Sequence, residues 1–255
     1  MHTSKDRHPP VAAGTRRVNY RYFGVEQSGT CGKCGARTLA FCAALDDLGL
    51  ERLAAIRHDV RLDAGDELFD DGDAASDIYN LVSGCIRLFK LLPDGRRQVT
   101  GFVLPGEYFG MVTADRFPYA AEAVTESRAC RFPRRGLEDV ADRHPALQRR
   151  LLHMAWDEVT RMQGQILLLG RKTPQERIAT FLLTLAQRYA RIGVAASPLL
   201  LPMNRGDIAD YLGLTVETVS RTFTRLRKMG LIELPRSSKV LLRAPDELAE
   251  LADAS

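Results

Sequence analysis

Residues 204–234 read NRGDIADYLGLTVETVSRTFTRLRKMGLIEL, and this stretch decides the architecture of the C-terminal part of the chain. Asn204 can cap a short helix that turns Ile208, Ala209 and Leu212 inward. Gly213 and Leu214 supply a tight turn, after which Thr215 can cap a second helix running to about Met229. On that helix Val219, Phe223 and Leu226 recur at steps of three and four and form one buried stripe. Glu217, Ser220, Arg221, Thr224 and Arg225 share the opposite face, with Thr215 and Thr218 in the first turn.

A short helix, a glycine turn and a second helix with polar residues at its start is the helix-turn-helix arrangement, whose second helix enters the major groove of double-stranded DNA. The side-chain chemistry agrees. Arg221 can give two hydrogen bonds to guanine O6 and N7, Glu217 can accept from cytosine N4, and Ser220 can meet a base edge or a thymine methyl. Arg225, Arg227 and Lys228 continue around the helix where phosphates would lie. LIEL and KVLL bracket the polar turn Pro235-Arg236-Ser237-Ser238 and predict a two-stranded wing that adds Arg236, Lys239 and Arg243. Positive charge is thus concentrated where a phosphate backbone would run, although the net charge of the whole chain is only +4.

Working toward the N-terminus, Thr173-Pro174-Gln175-Glu176 is a capping box that opens a helix reaching about Arg191, and residues 193–202 read as a loop. From Pro145 to Leu169 a long helix carries Leu152, Ala155, Val159, Met162, Ile166 and Leu169 at steps of three and four, the seam of a coiled coil between two copies of the chain. A second stripe, Leu147, Leu151 and Met154, faces elsewhere and suits a partner within the same chain. Between Val60 and Phe132 short apolar runs alternate with Gly and Pro turns, the pattern of an all-β roll. A short amphipathic helix is expected over Leu45–Ile56, and residues 1–30 read as a flexible leader. The fold class is therefore α+β, divided as a cysteine-bearing leader (1–44), a β-roll (45–144), a dimerisation helix (145–172) and a winged helix-turn-helix domain (173–255).

Composition bounds the rest: 255 residues, 45% hydrophobic and 27% charged, is ordinary for two globular domains. No run approaches the roughly 18 apolar residues of a membrane span, and the start has no apolar export segment, so a cytoplasmic protein is expected. Neither a G-x-x-x-x-G-K phosphate loop nor a G-x-S-x-G elbow is present, and an enzyme is not expected. The acidic run DAGDELFDDGD fails the calcium-loop pattern, because Phe69 and Ile78 fall at ligand places, and reads as a solvated strand and turn.

Five cysteines remain. In a reducing compartment they argue for metal or redox chemistry rather than disulfides. Cys31 and Cys34 sit at C-x-x-C spacing, and Cys42 follows within reach of a loop. Three thiolates do not complete a site. Cys130 in TESRACRFP is either a fourth ligand or a small core residue beside Phe132, and Cys85 in SGCIRLF reads as core. Spacing alone does not separate zinc from an iron–sulfur cluster.

A β-roll, a long dimer helix and a C-terminal winged helix-turn-helix resemble the Crp/Fnr family of dimeric transcription regulators, and GDIADYLGLTVETVSR is similar to its FNR branch. That resemblance implies that Glu217, Ser220 and Arg221, matching E-x-x-S-R, read a TTGAT half-site of an inverted repeat. It implies an oxygen-labile 4Fe-4S cluster on Cys31, Cys34, Cys42 and Cys130, with zinc as the rival occupant, although the gap before Cys42 is longer than in the best-known members. It implies contact with RNA polymerase through roll loops such as Leu92–Arg96, where Arg96 replaces an expected acidic residue. Cyclic AMP, the other ligand class of the superfamily, is not expected, because Met111 follows Gly110 and no Arg-Ser or Arg-Thr step is present in FGMVTADRFPYAAEA. The expected role is an oxygen-sensing regulator in which the cluster favours the dimer. The alternative is a zinc-stabilised, or nitric-oxide- or heme-responsive, regulator with the same DNA specificity.

Overall fold

The computed structural model describes residues 31, 34–194 and 197–253. The leader reading of residues 1–30 lies outside the described residues. The expected roll forms from eight strands: β1 (His58–Leu62), β2 (Glu67–Phe69), β3 (Asp77–Ser83), β4 (Ile86–Leu91), β5 (Arg97–Val103), β6 (Tyr108–Phe109), β7 (Ala120–Ala123) and β8 (Ser127–Pro133). They make two antiparallel sheets, ordered β1-β8-β3-β6 and β2-β7-β4-β5. Alternation along the strands sends Tyr79, Leu81, Ile86 and Val103 between the sheets. Aromatic rings fill that interior, Phe69 stacking on Phe117 with centroids 3.7 Å apart and Tyr79 on Phe109 at 5.2 Å.

Helix α1 (Asp47–Ala55) matches its prediction and is capped by Asp46, whose carboxylate accepts from the Gly49 N–H at 2.8 Å. A further helix, α2 (Arg134–Arg143), occupies the end of the stretch read as roll. The long helix α3 spans Pro145–Arg171. Its stripe of Leu147, Leu151 and Met154 packs on Phe41, Ile78 and Phe132, with Leu147 fully buried. The predicted seam lies open in the single chain: Leu152, Val159, Met162 and Ile166 are 59%, 44%, 57% and 72% exposed. Trp156 and Leu167, which the heptad reading passed over, are exposed with them, whereas Ala155 is half-buried. Leu169 departs from the group. It packs against the C-terminal core, because the helix ends two residues later and the next element folds back there.

Helix α4 (Pro174–Arg191) carries the predicted capping box, Thr173 N–H donating to Glu176 Oε2 at 2.9 Å. The C-terminal domain continues with β9 (Leu199–Leu200), α5 (Arg205–Leu212), α6 (Val216–Lys228), β10 (Ile232–Arg236), β11 (Lys239–Leu242) and α7 (Pro245–Ala252). The wing has three strands in the order β10-β11-β9 rather than the two expected, because the loop read over 193–202 contributes the buried pair Leu199 and Leu200.

The two halves share one core: Cys85, Phe89, Val99 and Phe102 on the roll surface join Tyr189, Ile208 and Phe223. Cys85 is core, as read. Above this contact Asp207, 1% exposed, accepts from Arg87 Nη1 at 2.7 Å and Arg97 Nη2 at 2.8 Å, while Arg97 Nε reaches Asp210 at 2.8 Å. Asp207 also closes the Asn204 capping box of α5. One carboxylate therefore starts the helix-turn-helix and fastens it to strands β4 and β5 of the roll.

Candidate functional site

The candidate DNA-facing surface follows from two caps and a turn. Asn204 Oδ1 accepts from the Asp207 N–H at 2.9 Å, and Thr215 Oγ1 accepts from the Thr218 N–H at 3.2 Å. Between the helices Gly213 has φ +61°, the left-handed conformation in which a side chain would be strained. The turn sets α6 across α5, and Val219, Phe223 and Leu226 are buried to 1% or less. With that stripe anchored, Glu217, Ser220, Arg221 and Arg225 stand exposed on the outer face, and Thr215 remains exposed beside them. Thr218 is half-buried, its hydroxyl 3.0 Å from that of Thr215, so both belong to the cap as much as to the reading face.

Three features of this surface were not legible as pairs in the sequence. Arg205 lays its guanidinium over the Phe223 ring, 3.4 Å from the centroid, and burial pulls its pKa down to about 10. Gln175 on α4, with its amide oxygen turned inward, accepts from Arg225 Nε and Nη1 at 2.7 and 3.0 Å. Arg177 joins the ends of two helices, donating to the carbonyls of Leu169 at 2.9 Å and Leu212 at 2.8 Å. Its residue type, a cation near helix C-termini, is the only signal the sequence carries for that role. In the wing Arg243 pairs with Glu233, while Arg236 and Lys239 carry no ion pair among the described residues.

The second site gathers residues far apart in the chain. Residues 34–44 lie between the roll and α3: Phe41 is fully buried and meets Phe132 edge-on at 5.4 Å, and the Leu39 carbonyl accepts from Arg150 of α3 at 2.8 Å. Gly106 makes this seat possible, since at φ +87° a Cβ there would lie 2.6 Å from that of Leu39. The stretch brings Cys42 to the outer face of β8, where Cys130 stands, with Cys31, which precedes the stretch, on the same cluster and Cys34 near enough to act on both the Cys42 and Cys130 thiols. Cys31, Cys42 and Cys130 all pack on the same apolar cluster, which includes Phe41, Ile78 and Phe132. Burial, with the neighbouring thiols Cys34 and Cys31, pushes the Cys42 pKa up to about 12. Burial pushes Cys130 up to about 12 as well, with the Arg57 guanidinium pulling the other way. Arg57 Nη1 donates to Cys31 Sγ at 3.4 Å, a charge-assisted bond suited to a thiolate.

The donor set fits a thiolate-ligated group: four sulfurs, apolar walls, one cation. Among the described residues no three Cys, His, Asp or Glu side chains form a group that could hold a single ion. Among the same residues, no helix is long and apolar enough to cross a membrane.

Comparison with known proteins agrees with this architecture. Residues 59–144 match the cyclic nucleotide-binding domain model, and residues 176–251 match the Crp-like helix-turn-helix domain. The chain is 39% identical over 204 residues to the nitrogen fixation regulation protein FixK of Bradyrhizobium diazoefficiens, covering 80% of this chain and 86% of that protein. It is 38% identical over 192 residues to the transcriptional activator protein FnrA of Stutzerimonas stutzeri, covering 74% of this chain and 76% of that one. The solved structure of FixK2 from Bradyrhizobium japonicum superposes with a TM-score of 0.73 at 36% identity, over 78% of this chain and 99% of that chain. With its β-roll, long helix, winged reading head and these similarities together, the chain belongs to the Crp/Fnr family of DNA-binding transcription regulators.

Proposed function

We propose that this regulator activates transcription when oxygen is scarce, sensing oxygen through a 4Fe-4S cluster held by Cys31, Cys34, Cys42 and Cys130. The observation that carries the reading is the meeting of the leader cysteines with Cys130 on the outer face of the roll, beside α3. Such a cluster, when bound, supplies iron–thiolate bonds that oxygen can dismantle. Zinc on the same four thiolates is the rival occupant, and metal and sulfide analysis separates the two.

The chain's own residues supply the transmission. Cys34 and Cys42 lie at the two ends of the segment that Phe41 and Leu39 seat against the roll, and Arg150 of α3 binds that segment by its backbone. Locking the cysteines to β8 therefore steadies α3 just before Leu152. The exposed apolar stripe from Leu152 through Trp156, Val159 and Met162 to Ile166 is then the surface for a second copy, since a patch of this kind marks an interface. Pairing places two recognition helices on an inverted repeat of TTGAT type, with Glu217, Ser220 and Arg221 reading bases. The second helix docks at high local concentration. A coupling of about 1–3 kcal/mol between the cysteine site and the seam is enough to shift occupancy roughly 5- to 150-fold.

No cyclic nucleotide enters this reading, because the Phe69, Tyr79, Phe109 and Phe117 rings fill the roll interior. RNA polymerase is the expected protein partner through the β4–β5 turn, where Leu92 is exposed and Asp94 is tied back to Arg96. The test is anaerobic purification with iron, sulfide and zinc analysis, followed by sedimentation before and after air. About four irons and four sulfides per chain, and a dimer that weakens in air, are expected. One zinc and no sulfide would overturn the sensor; an unchanged dimer fraction would overturn its route to DNA.

A further inference from the structure

One polar side chain near the cysteine site has no task in the fold. Across the outer sheet, Asp59, Cys130, Asn80 and Tyr108 are register neighbours on β1, β8, β3 and β6. Alternation along β3 places Tyr79 and Leu81 inside the aromatic interior and Ile78 on the opposite side, with Phe132 and Phe41. Asn80 shares the Ile78 side, so it lies beneath the cysteine-bearing segment and directly beside Cys130. Cross-strand neighbours of this kind have Cβ atoms about 4.5–5.5 Å apart.

Asn80 is 4% exposed, yet its Oδ1 has no hydrogen-bond partner among the described residues. Its NH2 group reaches only the carbonyl of the next residue, Leu81, at 3.5 Å, the outer limit for such a bond. An unpaired buried amide opposes folding, and a leucine of similar size would satisfy the surroundings of Ile78, Phe132 and Phe41 better. Arg57 already donates to Cys31 at the outer edge of the site. Among the described residues no hydrogen bond reaches the Cys130 sulfur.

We propose that Asn80 is a positioning residue of the cysteine site, which turns its amide to donate an N–H···S hydrogen bond to the Cys130 sulfur when that sulfur is ligated to iron. This rests on the cluster reading above. A donor to a ligating sulfur favours the more electron-rich state of the group, so it raises the reduction potential and slows oxidative loss. The buried amide, whose NH2 makes one long bond, is a stability cost in the metal-free chain, and the second N–H donated to sulfur offsets part of it in the loaded state.

The test uses the full chain, purified without air, as wild type, Asn80→Leu and Asn80→Ser. Asn80→Leu is expected to raise the melting temperature of the metal-free protein, lower the midpoint potential of the loaded protein and shorten the lifetime of its visible band in air-saturated buffer about tenfold. Asn80→Ser, a smaller change for the fold, is expected to move potential and lifetime in the same direction. Wild type and both variants loaded with iron and sulfide, with equal potentials and equal lifetimes, would overturn the role of Asn80 and leave the cluster reading intact. A wild type free of iron and sulfide would overturn both.

Discussion

The recognition helix and the cysteine site are opposite kinds of construction. Glu217, Ser220, Arg221 and Arg225 come from a single helix, and their common face is set by the helical period once Val219, Phe223 and Leu226 are buried. The cysteines come from residues 31 to 130 and meet only because β8 lies between β1 and β3, under the seated leader segment. The first site keeps its geometry as long as one helix is docked. The second exists only while leader, roll and α3 are packed together, the dependence that the proposed switch requires.

The largest expected effect separates the two sites completely. Cys130→Ser should abolish iron and sulfide binding in anaerobic preparations, whereas Cys85→Ser, at a residue buried in the shared core, should keep both. Equal metal content in the two variants would break the distinction between a ligand and a core cysteine. Next in size is the contact that joins the halves. Asp207→Ala takes one carboxylate from Arg87 and Arg97, which keep Glu122 and Asp210, and removes the reciprocal half of the α5 capping box, so a loss of about 1.5–3 kcal/mol in chemical denaturation is expected. A loss below about 1 kcal/mol would mean that the reading head is not fastened to the roll through this pair.

Within the reading head the comparison sharpens. Arg221→Ala should cost about 1–3 kcal/mol of discrimination at one guanine, measured by binding to half-sites altered base by base, with metal content unchanged. The smallest effect belongs to the wing: Arg236→Ala should weaken binding to all sequences alike and lower the slope of log affinity against log salt by about 1. If Arg221→Ala and Arg236→Ala acted identically on every sequence, the base-reading face would be misassigned.

Legibility follows the same division. The capping box at Thr173 and the cap at Asn204 could be read because they are local hydrogen-bond patterns within four residues, whereas the reciprocal bond from Asp207 came from the structure. α2 and α7 were not: neither has a side-chain cap, α2 carries Gly136 in its first turn, and both start against a proline. β9 is two residues long and is a strand only by pairing with β11. Asn80 sits in IYNLV, where nothing distinguishes it from any polar residue on a half-exposed strand. Its meaning comes from Cys130 beside it and the leader above it.

By itself, then, the sequence determined what repeats within a few residues: the roll's strands and turns, the long helix with its open stripe, and the exposed polar face of the second helix of the helix-turn-helix. Those features depend on backbone periodicity and on hydrogen bonds between neighbours in the chain. Only the tertiary structure decided which cysteines share a surface, that Arg57 and Asn80 flank them, and that Asp207 binds the reading head to the roll. These are contacts between residues up to 120 positions apart, brought together by burial of a shared core that no local pattern encodes.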